Sequence, residues 1–358
     1  MTKSAIRLAL LSALTAVTLT LSGCWDIKDI NHRALPILMG IKQIDQDYKV
    51  FLLVPQAGQN NMNLNVISEA GDTINEALDD INKNTERKVD LLHLKVIVFE
   101  RSFAEKGLEE SIASFMRARD IPNKTFAAIS DGELEPLFEK LKTSSASGGL
   151  EIYNYFEKNA GWTPDVAQTR IWEVYRSINS YTRDVVIPMI KPGHTTPIMS
   201  TGGAIIKNGK MVGSIDSEEA LLYNLFKGMG THGKIEVMNQ AAVKIVSGRL
   251  SQSSRMDGDQ PVMNSRLRLK VTVLETRGST AEAEIKHEID EMLSMRYRKM
   301  LRASQDKEAD ILGFGQYFRG KLSRDDLQSW RSIYYPRMKL NFRVQVLIQD
   351  EGLLKTRR

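Results

Sequence analysis

The sequence predicts a mixed α/β and α+β protein of more than one domain, with layered sheets and helices and a C-terminal antiparallel sheet covered by helices. Three observations carry that prediction. The first third alternates strand, helix and strand patterns, the order of a layered α/β unit. The last third holds long stretches in which apolar and polar residues alternate, as in strands with one face in water. The chain also has 358 residues, more than one hydrophobic core usually absorbs.

At the N-terminus, Lys3 and Arg7 form a short basic region, and Leu8 through Leu21 form an apolar run too short for a comfortable membrane span. The run ends in Leu21-Ser22-Gly23-Cys24, which resembles a bacterial lipobox. That likeness implies a signal peptide over residues 1–23, a diacylglyceryl group on the Cys24 sulfur, and a further acyl chain on the amine freed by cleavage. Each buried methylene adds about 0.8 kcal/mol, and two chains anchor stably where one does not. Cys24 is the single cysteine, so no internal disulfide is expected. No later segment reaches about 18 apolar residues. The rest of the chain is therefore expected in water, on the outer face of a cytoplasmic membrane. Without Lys3 and Arg7 the chain has 47 basic and 44 acidic residues, a net charge of +3 that suits a surface near anionic headgroups. No basic run interleaved with aromatics points to nucleic acid.

Residues 24–140 read as an α/β domain. Asp72-Thr73-Ile74-Asn75-Glu76 offers a helix cap, and Ile74, Ala77, Leu78 and Ile81 share the face that follows. Val89 to Phe99 reads as a central strand with both faces apolar, and His93 inside it reads as a hydrogen-bonded structural histidine. Leu108, Ile112 and Phe115 mark a second helix, and Thr125 to Ile129 a further strand.

Residues 141–197 read as a linker and a middle helical region. Lys142 to Gly149 is small and polar, and Val166 to Ile178 predicts an amphipathic helix bearing Trp172 and Tyr175. Pro188 to Pro197 is expected to break regular structure, which sets the next boundary.

Residues 198–358 read as an α+β domain. Asn208-Gly209 between two apolar runs is a strong hairpin signal. Asp216 to Glu219 caps a helix with Leu221, Leu222 and Leu225. Leu267, Leu269, Val271 and Val273 alternate with Arg266, Arg268, Lys270 and Thr272. A helix carrying Ile285, Ile289, Leu293 and Met300 follows Ala281, and Leu340, Phe342, Val344, Val346 and Ile348 alternate along a last strand.

The motifs of common catalytic classes are missing. The five histidines have no helical metal spacing, and there is no nucleophile elbow or redox cysteine pair. Gly230 to Lys234 lacks phosphate-loop spacing, and Gly313-Phe314-Gly315 reads as a packed turn rather than a dinucleotide fingerprint. Phe314, Tyr317 and Phe318 read as core anchors, with an interface role as the alternative. Trp25 suits either the membrane interface or packing in the first domain.

Cys24-Trp25-Asp26 with Asp29 and Asn31, the Leu92-His93-Leu94-Lys95 stretch, Arg117 to Pro122, Gly203 to Gly213, and Asp310-Ile311-Leu312-Gly313-Phe314-Gly315 fall in the order seen in one family. The chain resembles the Ger(x)C proteins, the C-subunit lipoproteins of bacterial spore germinant receptors. Asp29 stands where that family usually has Glu. The resemblance implies a three-domain α/β protein anchored in the spore inner membrane. It also implies a receptor A subunit and a polytopic B subunit as partners, and a part in the response to nutrients. It supplies no catalytic residue and no cofactor beyond the lipid on Cys24; Trp25, Asp26 and Asn31 form its membrane-proximal motif. The competing reading is a lipid-anchored solute-binding protein, which needs a cleft between two similar α/β lobes.

Overall fold

The alternating patterns of the first two thirds build one wide mixed sheet. The computed structural model describes residues 32–57, 62–143, 150–157, 166–229, 235–239, 241–278 and 280–349, with Ser4 and Arg7. Cys24, Trp25, Asp26 and Asn31 lie outside the described residues, as do residues 144–149 of the expected linker.

Strands β1 (Leu38–Ile44), β2 (Asp47–Ala57) and β3 (Met62–Gly71) form an antiparallel meander. Helix α1 (Ile74–Asn84) then starts at the predicted cap: the Thr73 hydroxyl accepts from Glu76 N at 3.1 Å, and the Glu76 carboxylate accepts from Asp72 N at 3.0 Å. Next come β4 (Val96–Glu100), α2 (Arg101–Lys106), α3 (Glu109–Arg117), β5 (Phe126–Ser130), α4 (Leu134–Thr143), α5 (Leu150–Glu157), α6 (Ile171–Ile178) and β6 (Val185–Pro192). Strands β7 (Ile198–Lys207) and β8 (Lys210–Ile215) close the sheet in the order β8-β7-β6-β5-β4-β1-β2-β3. The central strands β1, β4, β5 and β6 run parallel, as expected when both faces are covered. On one face Ile97 and Phe99 of β4 pack with Phe103, Ile112 and Phe115 from α2 and α3. On the other, Val96 and Val98 pack with Leu134 and Phe138 from α4.

Three local expectations are corrected. The strand expected from Val89 begins only at Val96. Asp90 accepts from Leu92 N at 3.0 Å and pulls Leu91–His93 into a 3₁₀ turn, so Leu92 and His93 are exposed and His93 is not a core residue. The helix expected from Val166 begins at Ile171, because residues 166–170 run extended and Arg170 bridges to Phe126. Of the stretch Pro188 to Pro197, only residues 193–197 break regular structure: Pro188 to Pro192 belong to β6, which pairs antiparallel with β7 from Val185 with Ile206 to Pro192 with Ile198. Pro188 is tolerated because β5 joins β6 only at Met189 and Ile190. The wide sheet is thus continuous across residues 197 and 198.

Past the hairpin, α7 (Ser217–Phe226) is buried on all sides from Glu219 to Leu225. Its leucines share a core with Val186 and Ile205 of the wide sheet and with the second sheet. That sheet comprises β9 (Ile235–Val237), β10 (Ala241–Asp257), β11 (Gln260–Thr276) and, after α8 (Glu282–Asp306) and α9 (Arg324–Gln328), β12 (Lys339–Ile348). The first three strands are antiparallel, as predicted. The last is not: β12 pairs parallel with β11, from Val262 with Lys339 to Val271 with Ile348. A parallel partner needs a crossover, and the segment carrying α8 supplies it. Ile285, Ile289, Leu293, Tyr297 and Met300 of α8 join Leu267, Leu269 and Val271 of β11 in one core.

Candidate functional site

Two polar constellations stand out, and they have opposite character. The first is closed. Asp310, Gly313 and Gly315 belong to the motif noted in the sequence. The Asp310 carboxylate is fully buried and accepts from Phe314 N at 2.9 Å, Gly315 N at 2.7 Å and Trp330 Nε1 at 2.9 Å. It thereby caps the short 3₁₀ turn Phe314–Phe318. Gly313 has φ +66, and a Cβ on Gly315 would lie 2.6 Å from Trp330 Nε1 and 2.7 Å from Thr182 Cβ. Each glycine is required, one by conformation and one by space.

Asp310 is also tied to the entrance of β6. Its N–H donates to Asp184 Oδ2 at 2.8 Å, and Asp184 N donates to its carbonyl at 2.8 Å. Arg331 then holds Asp184 in a bidentate pair, Nε to Oδ2 at 2.9 Å and Nη2 to Oδ1 at 2.7 Å, while Nη2 also donates to the Ser180 carbonyl at 2.6 Å. Burial pushes the Asp310 carboxyl up to about 7, and burial also raises Asp184 against the pull of Arg331. Every charged atom here points at another part of the same core. The cluster is a latch between the wide sheet and the segment before β12.

The second constellation is open. On the face of the second sheet away from its buried leucines, Arg266, Arg268 and Lys270 of β11 are exposed, with Arg249 of β10 opposite Arg268. Strand register sets Ser251, Arg266 and Arg343 side by side on three neighbouring strands, and Ser253, Asn264 and Asn341 in the next row. Side chains alternate along a strand, so the opposite face, toward α8, carries Gln252, Ser265 and Phe342, which border a cleft of about 780 Å³ with Tyr297, Arg298 and Leu301. The volume falls in the range of small-molecule sites, about 300–1,000 Å³. Among the described residues no Asp or Glu lines it, and Arg266, Arg298 and Arg343 make no ion pair. Ser265 and Tyr297 are only 3% and 2% exposed, with their hydroxyls close to one another, and Gln252 Nε2 has no hydrogen-bond partner. Burial pushes the Tyr297 phenol well above its usual range, against the opposing pull of the Ser265 hydroxyl, so it stays protonated. Its ring is held by stacking on Phe342, centroids 4.2 Å apart.

A smaller cleft of about 340 Å³ is lined by Glu173, Arg176, Arg183, Asp184 and Lys227; Lys227 reaches Glu173 at 2.8 Å, and Asp184 belongs to the latch.

Of the residues singled out in the sequence, Phe314 and Phe318 are fully buried, so the interface alternative does not hold for them. They are core anchors, with Phe318 stacked on Trp330 at 5.1 Å. Tyr317 is 42% exposed and donates to Gln252 Oε1 at 2.9 Å, which places it beside the cleft. Among the described residues no group of three His, Cys, Asp or Glu could hold a metal. Sequence reasoning missed Asp184, Arg331 and Tyr297. Asp184 and Arg331 are 147 residues apart, with no local pattern linking them. The adjacent Arg266 and Arg343 were each visible as polar positions in alternating strands; only strand register joins them.

The comparisons with known proteins agree with this architecture. A family model described as the spore germination protein N-terminal domain matches residues 26–192, and one described as spore germination B3/GerAC like, C-terminal, matches residues 201–352. The gap between them falls on the β6–β7 connection. The crystal structure of the GerBC protein shares the fold, with a TM-score of 0.57 at 14% identity over 87% of this chain and 97% of that one. The spore germination protein GerQC of Bacillus cereus is 22% identical over 299 residues, 78% of this chain and 80% of the relative. The chain belongs to the Ger(x)C family of spore germination proteins.

Proposed function

We propose that this chain is the C subunit of a nutrient germinant receptor. It is held by acyl chains on Cys24 at the outer face of the spore inner membrane, and it assembles with the receptor A and B subunits. It works by docking and performs no chemistry of its own. The observation that carries this reading is the match of both family models, in order, to one chain that opens with Leu21-Ser22-Gly23-Cys24. The most perturbed carboxyl supports it: Asp310 is committed to three N–H donors inside the core, where no substrate proton reaches it. The solute-binding reading needs two similar lobes, and the described residues instead form an eight-stranded mixed sheet, a four-stranded one and a two-stranded pair.

The test is intact-mass analysis of the protein extracted from spore membranes, beside Cys24→Ala, with the co-purifying proteins identified. The expected result is a lipid-modified chain starting at Cys24 that brings A and B subunits with it, and a variant lost from the membrane. A soluble, unmodified wild-type chain would refute the anchor. A lipidated chain that purifies without the A and B subunits would refute the assembly.

A further inference from the structure

We propose that the solvent face of the second sheet lies on an anionic phospholipid surface. Strand register fixes what this face carries. Arg249 of β10 stands opposite Arg268 of β11, Arg266 of β11 beside Arg343 of β12, and Lys270 follows one row further on. All five are exposed, and the outward positions between them are serine, asparagine and glutamine, with Leu347 at one end. The acids of the three strands stand at the ends: Asp257 is 3.7 Å from Arg255, and Glu275 pairs with Ala242. Among the described residues, none of the five cations is in an ion pair.

Like charges directly opposite one another destabilise a sheet. This face holds two such pairs, Arg249 with Arg268 and Arg266 with Arg343, and a layer of anions relieves both. Alternation also keeps the face separate from the core, since α8 covers only the other side of the sheet, against Leu267, Leu269 and Val271.

The layout selects the partner. The five cations spread over about 13 Å along the strands and about 10 Å across them. They do not converge on one point, so they match several phosphates in a plane better than one bound ion. No aromatic side chain or methionine stands among the outward positions from Ser247 to Ser253, Asn264 to Lys270 and Asn341 to Leu347. Protein interfaces centre on such anchors and keep charge at the rim, so an acidic protein surface finds little to grip here. The choice of a membrane rests on the acyl anchor proposed above. A chain tethered by Cys24 meets headgroups at high effective concentration, and each basic side chain near an anionic surface strengthens contact by roughly fivefold.

The test uses the full lipidated chain on vesicles of phosphatidylcholine, alone or mixed with phosphatidylglycerol, each containing a lipid with a nitroxide on its headgroup. Cys24 is the single cysteine and is acylated, so an introduced thiol takes a fluorophore selectively. Gln345→Cys places the probe on the proposed face, and Met295→Cys, at a position 61% exposed on α8, places it on the other side. The Gln345 probe should be quenched at least about twofold more strongly on mixed vesicles than on phosphatidylcholine, and the Met295 probe equally on both. The difference should vanish at about 1 M salt, where screening acts within about 3 Å.

Replacing Arg249, Arg266, Arg268 and Arg343 together by Gln should abolish the difference without lowering the melting temperature, because two repulsive pairs are removed. Replacing the same four by Lys keeps the charge and should keep the quenching. Equal quenching of the Gln345 probe on both vesicles would overturn the proposal. So would a probe that becomes shielded only when the A and B subunits are added, since a protein would then cover the face. Failure to float with phosphatidylcholine vesicles would instead refute the anchor. The face is then read from flotation with the mixed vesicles, which should be salt-sensitive and lost in the Gln variant, and its absence would overturn the proposal.

Discussion

Arg331 and Arg343 show how differently one side chain can be used within a single chain. Arg331 is 11% exposed at its side chain and clasps Asp184, whose own side chain is fully buried; its Nη2 also donates to the Ser180 and Arg183 carbonyls. Arg343 stands in the open beside Arg266, with Ser251 and Asn341 as neighbours and no acid in reach among the described residues. The first arrangement is satisfied from within and holds two parts of the fold together. The second faces solvent and ties no two parts of the fold together. Conspicuous sequence does not separate the two. The six-residue motif from Asp310 to Gly315 belongs to the closed region, whereas the open one is assembled from scattered arginines and serines.

The sharpest way to break this contrast is Arg331→Met. It leaves the Asp184 carboxylate buried without its partner, and a loss of about 3–5 kcal/mol is expected by chemical denaturation. A loss below about 1 kcal/mol would make the latch an ornament of the fold. A second probe is pH. The Asp310 carboxyl is raised to about 7 by burial, with Asp184 adding to the rise. An acid whose folded pKa exceeds its unfolded value keeps a proton in the folded state that the unfolded chain has released. Its contribution to stability therefore falls as pH rises from about 4 toward 7. Asp310→Asn, which cannot titrate, should lose that slope while being less stable throughout. Parallel pH profiles for the two proteins would contradict the assignment.

Gly315→Ala comes next. Its methyl must displace Trp330 or Thr182, and overpacking of this kind costs about 1–3 kcal/mol. Arg266→Gln completes the series from the other region, with a stability change within about 0.5 kcal/mol either way, because an exposed arginine without an ion pair holds nothing together. A large loss there would mean that the open face, too, is part of the scaffold.

Much of the fold is legible in local chemistry. Asn208 and Gly209 take φ 50 and +79, as the hairpin signal requires. Asp216 accepts from Glu219 N at 2.8 Å while the Glu219 carboxylate answers to Asp216 N at 2.8 Å. The alternation from Leu267 to Val271 and from Leu340 to Ile348 becomes strands β11 and β12. Much of what failed was set at long range. Nothing in the alternation of β12 says whether its partner runs parallel or antiparallel, since both show the same period. Strand β10 escaped notice because its register slips between Ile245 and Ser247 and its later residues are mostly polar. His93 was misplaced because one aspartate, Asp90, offered the backbone a turn in place of a strand. The candidate site was illegible for the same reason: Arg266 and Arg343 become neighbours only when two strands align.

The parallel placement of β12 bears on when the cleft comes into being. Asn264 and Asn341, whose side chains bond at 2.8 Å across the two strands, are 77 residues apart in sequence. Closing so long a loop is slow compared with forming a hairpin such as β10–β11. As the chain emerges N-terminus first, the hairpin and α8 are available well before Leu340 to Arg343 can take their places. Until then the arginine of β11 has no twin, Tyr297 has no Phe342 to stack on, and the cleft has no third wall. The cleft is thus completed last, and a chain stopping short of β12 would lack the wall that Leu340 and Phe342 provide.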